Sequence, residues 1–302
     1  FAAAVGAAAA GAARGRRTAR RAVAGEKKEK KKVSVKRELE KLFIQAQKKV
    51  FAPNAWYESP DTTTQSKNNV WDYWQIRPNR TIDKICDGRE RAGCTWTQLD
   101  GRRGASFIRV NDDGKVTYVR EVAEPPSWSK FKENNMSSLK PVFGVMEGIK
   151  GFFNMNDQWL QVEEKDREPP KPRFGLAKPK TRRAIDVVQY LWEEAQYDPD
   201  DVEAVERVLA EYADDAVIED LTYAEEAFRG IDAIRKYQEE TKMNAPKGLR
   251  WCVDEISEGS TSCVCIWHIE YAGKRSPRGV SFYELDEEGK VKYVRIAYDL
   301  SF

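Results

Sequence analysis

Hydrophobic positions in the last third of the chain keep two different periods. Between Thr181 and Ala195, Ile185, Val188, Tyr190, Leu191 and Trp192 form a broad apolar stripe at helical spacing. Asp198-Pro199-Asp200 then punctuates the chain and caps a second expected helix, Val202 to Tyr212, with Val202, Val205, Val208 and Leu209 on one face. A short strand, Ala216–Ile218, leads to Glu219-Asp220. Gly230 precedes a third helix, Ile231 to about Thr241, with Ile231, Ile234 and Tyr237 inward, and Asn244 to Gly248 ends it. The period then changes to two, in β-rich runs at Leu249–Ile256, Cys263–Tyr271, Gly279–Leu285 and Val291–Ala297. Helices first and a long meander after them predict an α+β fold, a curved antiparallel sheet packed on helices.

Part of this pattern occurs twice. Residues 103–120 read RGASFIRVNDDGKVTYVR and residues 278–295 read RGVSFYELDEEGKVKYVR, ungapped at an offset of 175 with ten of eighteen positions identical. Each reads as a hairpin around an acidic-Gly turn, Asp113-Gly114 or Glu288-Gly289. Just upstream, Cys94-Thr95-Trp96 echoes Cys265-Ile266-Trp267. Turn chemistry alone repeats Asp-Gly but not Arg-Gly-x-Ser-Phe and Tyr-Val-Arg with it, so a duplicated domain is expected. The helical half of the first copy is weaker. One amphipathic helix, Val35 to Phe51, carries Leu39, Leu42, Phe43, Ala46 and Val50, and residues 52–80 are aromatic and polar without a clear period. The expected organisation is a basic tail at 1–32, a degenerate first unit at 33–130, an amphipathic segment and Pro-rich linker at 131–180, and a complete unit at 181–302. The linker contains Glu168-Pro169-Pro170-Lys171-Pro172 and Lys178-Pro179-Lys180, a stiff composition.

The stretch 181–302 resembles the nuclear transport factor 2-like superfamily, in particular its SnoaL-like branch. The resemblance is carried by Ala213-Asp214-Asp215-Ala216-Val217-Ile218-Glu219-Asp220, Phe228-Arg229-Gly230-Ile231-Asp232-Ala233-Ile234, Trp267-His268-Ile269-Glu270 and Gly279-Val280-Ser281-Phe282-Tyr283. Their order is similar to that of plastid-targeted plant and algal members. The resemblance implies a cone-shaped fold, duplicated here with a degenerate first copy. In catalytic branches of the superfamily a pocket at the cone mouth holds a carboxylate that shuttles protons. The fold also hosts transport adaptors and inert scaffolds, so function has to be argued from the site.

Composition narrows the chemistry. Of 302 residues, 41% are apolar and 33% charged, with 51 basic against 49 acidic, which excludes a chain that binds nucleic acid through bulk charge. No apolar run reaches the roughly 18 residues of a spanning helix. His268 is the only histidine, which excludes two-His metal motifs. The cysteines Cys86, Cys94, Cys252, Cys263 and Cys265 form no C-x-x-C pair and read as small core residues in a reducing compartment. No phosphate loop and no calcium loop is present, so no cofactor and no metal is expected. Residues 1–25 hold Arg14, Arg16, Arg17, Arg20 and Arg21 with no acid and no lysine, the composition of an organelle transit peptide. Phe1 beside this Ala/Arg-rich segment resembles the cleavage context of proteins entering complex algal plastids. The cluster Lys27, Lys28, Lys30, Lys31 and Lys32 lacks interleaved aromatics, so nucleic acid is not the expected partner.

Candidate chemistry in the second copy comprises Asp220, Tyr223, Asp254, His268, Glu270, Tyr283, Arg295 and Asp299. Were the chain an enzyme, Asp220, Tyr223, His268 and Glu270 would be its catalytic set, a raised-pKa carboxyl near a donor. On one strand Trp267 and Ile269 share a face and His268 and Glu270 share the other, so the pair acts only if its face is concave; a convex, solvated face is favoured. Asp220 and Tyr223 fall at a strand end, where turn capping competes with a pocket role, and Asp254 is expected at an exposed strand position. Nine tryptophans are many for this length, and aromatics outside a periodic core anchor interfaces. Trp56, Trp71, Trp74, Trp128, Phe143, Phe152 and Trp159 are the interface candidates. The run Pro141–Phe153 is amphipathic and suited to a partner or a membrane surface.

Taken together, the residues and the resemblance imply a non-catalytic structural or assembly subunit of a plastid complex, stromal or thylakoid-associated, with a photosynthetic supercomplex as the first partner. The alternative is a SnoaL-like isomerase, cyclase or hydratase, or a binder of a small apolar ligand such as a pigment or lipid, using a pocket in the C-terminal domain.

Overall fold

The computed structural model describes residues 35–45, 47–76, 80–124, 181–194, 201, 203–222, 227–245, 248–271 and 274–298, all within the compact unit 33–302. The basic tail, the linker and the run Pro141–Phe153 lie outside the described residues. The N-terminal repeat contains α1 (Val35–Gln45), β1 (Phe51–Ser59), β2 (Thr62–Gln65), α2 (Lys67–Gln75), β3 (Arg80–Ile85), β4 (Arg91–Gln98), β5 (Arg103–Val110) and β6 (Val116–Ala123). The C-terminal repeat contains α3 (Ala184–Gln189) with a π-helical turn Tyr190–Glu194, α4 (Ala204–Leu209), β7 (Tyr212–Asp220), β8 (Phe228–Arg229), α5 (Ile231–Asn244), β9 (Arg250–Ile256), β10 (Ser262–Tyr271), β11 (Lys274–Leu285) and β12 (Val291–Tyr298).

Each repeat forms one six-stranded sheet in the same order, β2-β1-β6-β5-β4-β3 and β8-β7-β12-β11-β10-β9. Four strands make an antiparallel meander in each. The first strand of each repeat lies parallel to its last, β1 on β6 and β7 on β12. The sheets are therefore mixed: the meander is antiparallel, as expected, and one parallel pair joins it to the first strand of each repeat.

The two hairpins of the sequence repeat adopt one geometry. Phe107 pairs with Arg120 as Phe282 pairs with Arg295, and the register slips at Arg109/Val110 as it does at Glu284/Leu285. Gly114 and Gly289 take φ of 71° and 76° in their turns, where a side chain would be strained. The repeated Arg-Gly-x-Ser-Phe has a local cause. The Trp96 indole N–H donates to Ser106 Oγ at 2.8 Å, and Trp267 donates to Ser281 Oγ at 2.8 Å. Each ring lies flat on a glycine: a Cβ on Gly104 would fall 2.4 Å from Trp96, and one on Gly279 would fall 2.2 Å from Trp267. Phe107 and Phe282 point to the opposite face, where each meets a tyrosine edge-on at 6.4 Å, Tyr118 and Tyr293.

The helical halves depart from expectation. The helix predicted to reach Phe51 stops at Gln45; a 3-10 turn at Lys48–Val50 follows, and Phe51 opens β1. Residues 52–80 are not irregular. They form β1, β2 and α2, whose N-terminus is capped by Ser66 accepting from the Asn69 N–H. Among the described residues the first copy thus keeps a complete sheet, with two helices against three in the second. In the second copy the helix expected to reach Tyr212 ends at Leu209, because Tyr212 is already in β7 opposite Val291. The four meander strands start and end within a few residues of expectation.

The two sheets pack outer face to outer face. Val264, Ile266, Val280, Phe282 and Ala297 of the second sheet join the core of the first repeat. Gly93 is required there, since a Cβ would approach Val264 Cγ1 to 2.6 Å. Contacts across the interface recur in exchanged form, as in an isologous dimer interface. Arg278 pairs with Glu58, and Arg103 with Glu219 at 3.8 Å. Lys84 pairs with Glu284 at 2.5 Å, and Arg109 with Glu255, the same two places with charges swapped. Asp87 accepts from the Ser260 N–H and Glu258 from the N–H groups of Arg89, Glu90 and Arg91. Cys86 Sγ and Ser257 Oγ meet at 3.7 Å, and each accepts a backbone N–H, from Gly93 and Val264 respectively.

If one packing rule serves both repeats, Gly104→Ala and Gly279→Ala each lower stability by about 1–3 kcal/mol, and by similar amounts, in urea unfolding of the full chain. A neutral effect at either position would contradict the shared indole-on-glycine packing.

Candidate functional site

The helix-covered face of each sheet is where a cone would hold a ligand, and the two repeats treat it differently. In the N-terminal repeat, Arg80 of β3 enters this space with its side chain 5% exposed and bonds Glu121 Oε1 at 2.6 Å. Its guanidinium lies 4.4 Å from the Trp96 ring centroid, 5.2 Å from Trp74 and 5.3 Å from Phe43, within cation–π range of all three. Glu121 also accepts from Tyr57 OH at 2.9 Å and from Ser106 Oγ at 2.9 Å. Among the described residues, an internal ion pair takes up this space.

The C-terminal repeat keeps a cavity of about 90 Å3. Its walls come from the π-helical turn (Leu191, Trp192), α4 and the start of β7 (Val208, Tyr212), α5 (Tyr237, Gln238, Thr241) and the sheet (Trp251, Trp267, Tyr283, Ile296, Tyr298). Trp267 packs between Trp192 at 5.3 Å and Tyr298 at 5.5 Å, and the Trp192 indole N–H donates to Tyr283 OH at 2.7 Å. Asp220, at the end of β7, is 1% exposed and contributes the cavity's carboxyl. Oδ1 accepts from the Thr222 N–H at 3.0 Å and Thr222 Oγ1 at 2.6 Å, and Oδ2 accepts from Tyr237 OH at 2.8 Å. Burial pushes this carboxyl above the ordinary aspartate range, and the bonds from Thr222 and Tyr237 partly oppose the shift. A carboxyl with a raised pKa in an aromatic cavity can hold or move a proton, and it can face a cation.

Of the residues expected at the site, Asp220 and Tyr283 line the cavity. Tyr223 and Asp299 lie outside the described residues. His268 and Glu270 lie on the outer face of β10, as the alternation favours, but that face is only partly solvated: its Val264 and Ile266 pack on the other repeat, and Glu270 is half-buried while His268 is 5% exposed. Its Nδ1 bonds Asp254 at 2.8 Å and its Nε2 bonds Glu270 at 3.2 Å. Asp254 is therefore half-buried and engaged, with Arg278 also 3.8 Å away. The His268 bond, with Arg275 and Arg250 nearby, holds the Glu270 carboxyl below its usual range. Cys252, directly opposite His268 on β9, is half-exposed rather than a core residue; its donor atom lies within 4.8 Å of those of His268 and Glu270. These three are metal-ligating types, but a cation there would have to displace arginines from Glu270. Arg295 faces the other repeat, bonding Glu219 at 2.6 Å and Asp83 at 2.6 Å, not the cavity.

The interface candidates sort differently from expectation. Trp74 is 7% exposed in the first repeat's core and Trp71 packs against it, since α2 turns both inward. Trp56 is 45% exposed. Trp128, Phe143, Phe152 and Trp159 lie outside the described residues. Sequence reasoning missed Trp192, Thr222, Trp251 and Tyr298 as site residues. Tyr237 was legible as an inward helix position, and only its partner Asp220 makes it a site residue.

A carboxyl whose folded-state pKa lies above its unfolded value stabilises the fold below the unfolded value and loses that contribution as pH rises through the folded value. Asp220→Asn keeps an acceptor for Thr222, gives Tyr237 OH a donor and cannot ionise. It should raise Tm at pH 8 by about 2–4 °C, the shift that ~1 kcal/mol makes in a large domain, with the difference shrinking toward pH 4. A variant less stable than the parent at pH 8 would contradict a buried carboxyl with a raised pKa.

A family model for the SnoaL-like domain matches residues 192–294. No curated protein matches the chain. Among solved structures, a provisional ketosteroid isomerase from Kribbella flavida DSM 17836 is 19% identical, over 30% of this chain and 82% of its own, with a TM-score of 0.25. A nuclear transport factor 2-like protein of unknown function from Exiguobacterium sp. 255-15 is 16% identical, over 36% of this chain and 95% of its own, with a TM-score of 0.30. A de novo designed protein with a curved β-sheet is 18% identical, over 37% and 81%, with a TM-score of 0.29. The stretch that builds most of the cavity, residues 192–294, is thus a SnoaL-like domain of the nuclear transport factor 2-like superfamily.

Proposed function

We propose that the protein is a non-catalytic structural or assembly subunit of a larger plastid complex, with a thylakoid photosynthetic supercomplex as first partner. The supporting observation is the filled interior of the N-terminal repeat. Arg80 and Glu121 occupy the space a catalytic member would keep open, so that repeat contributes shape and surface rather than chemistry. The acid-poor, Arg-bearing residues 1–25 support the plastid address. Native purification of the tagged protein from its source organism tests this: it should co-migrate with a multi-subunit plastid assembly. Recovery as a single free chain outside the plastid would overturn it.

A second reading is favoured by the C-terminal cavity, where Asp220 has the environment of a proton-shuttling acid. At about 90 Å3 the space is well below the roughly 300 Å3 at which pockets for drug-sized ligands begin. A pigment or lipid would enter only with the lining side chains displaced, whereas a compact ligand fits. Were this an isomerase, cyclase or hydratase, the chain would exchange the α-protons of small ketones into D2O, and Asp220→Asn would slow that exchange by about 10²–10⁴-fold. Exchange unaffected by the substitution would remove Asp220 from the chemistry.

A further inference from the structure

The first repeat displays, filled from within, the kind of site that the second repeat leaves open. Arg80 pairs with Gln98 across β3 and β4, and Trp251 pairs with Ile269 across β9 and β10. Since Trp96 and Trp267 are matched by their Ser and Gly partners, Arg80 and Trp251 occupy the same place in the two sheets. The carboxylate that answers Arg80 is Glu121 of β6. Its match on β12 is Ile296, which pairs directly with Asp220 of the neighbouring β7. The acid has moved by one strand and still lines the interior.

We propose that the C-terminal cavity is a receptor for a small organic cation of the guanidinium or methylated-ammonium class. Where the first repeat holds its own guanidinium among Phe43, Trp74 and Trp96, the second offers Trp192, Trp251, Trp267, Tyr237, Tyr283 and Tyr298 around the open volume. Aromatic faces attract a cation within about 6 Å, most strongly where water is excluded. Among the described residues no lysine or arginine pairs with Asp220, and its hydrogen bonds come from Thr222 and Tyr237. A buried carboxyl held by three donors and facing an aromatic cage lacks the counter-charge that Glu121 has. The volume of about 90 Å3 is smaller than the roughly 150 Å3 of an apolar cavity that admits benzene, which suits a head group of a few heavy atoms and is too little for a polycyclic ligand.

This inference rests on the reading that the cavity takes a ligand at all, and the test separates the two. The full chain is titrated with methylguanidinium, with tetramethylammonium and with neutral N-methylurea, followed by tryptophan emission and by Tm. At least one cation should bind saturably, at least tenfold tighter than N-methylurea, and Asp220→Asn should weaken it at least tenfold. Trp251→Arg, which supplies from within what the first repeat supplies at position 80, should abolish cation binding while the chain still unfolds cooperatively. N-methylurea binding as tightly as the cations, or cation binding that survives both substitutions, overturns the cation class and leaves the ligand reading standing. No change with any probe, charged or neutral, overturns both.

Discussion

A guanidinium shut between two sheets has to be met by a carboxylate on the neighbouring strand, and this chain meets that demand twice. Arg120 and Arg295 have side chains 2% and 6% exposed, and each is answered by a glutamate, Glu58 or Glu219, on the strand that runs parallel beside it. Tyr118 and Tyr293 donate to the same two glutamates at 2.7 Å. Leaving either arginine unpaired in that position would cost several kcal/mol. The pairs therefore hold β1 on β6 and β7 on β12, and because they sit at the interface they also hold one sheet on the other. Arg278 and Arg103 reach across to the same glutamates from the opposite repeat.

With the outer faces committed to one another, the helix-covered faces are the ones left for ligands among the described residues, and there the repeats diverge. Three helices and a π-helical turn cover the second sheet and leave a cavity with Asp220 in its wall. Among the described residues, two helices and a 3-10 turn cover the first, and Arg80 pairs with Glu121 in the space beneath them. Both solutions use one sheet scaffold, the indole on its glycine and the serine that accepts from it. Packing of the two repeats on each other and a binding role for one of them are compatible, because the interface between the sheets and the cavity use opposite faces of the second sheet.

The meander was legible because it alternates cleanly and because the Arg-Gly-x-Ser-Phe hairpin recurs with its turn glycine. Upstream strands were not, for local reasons. The connection between the Trp and the Arg-Gly differs in length by four residues between repeats, so matching at one fixed offset breaks there. Within β1, Pro53 and Asn54 fall where the register slips between Phe51 and Trp56, which erases period two from the sequence. The same slip occurs in β7 between Tyr212 and Val217, and it hid the start of that strand. His268 and Glu270 were placed on the correct face but read as solvated, since nothing in a single strand shows that another part of the same chain will cover it. Asp220 was legible as a strand-end acid. Its partner Tyr237 and the cage of Trp192, Trp251 and Tyr298 come from segments far apart in sequence and become a site only in three dimensions.

The exchanged pairing of the two sheets is tested most directly where they meet on their approximate two-fold axis. Cys86 and Ser257 occupy matched positions, and their side-chain tips face each other at 3.7 Å, so a cysteine at 257 would place two thiols side by side. With Ser257→Cys in the full chain, mild oxidation and peptide mass spectrometry should find a cross-link between positions 86 and 257 in the folded protein. If refolding under the same oxidant, which exposes both thiols before they pack, leaves them free in a folded chain, the two repeats are not packed outer face to outer face.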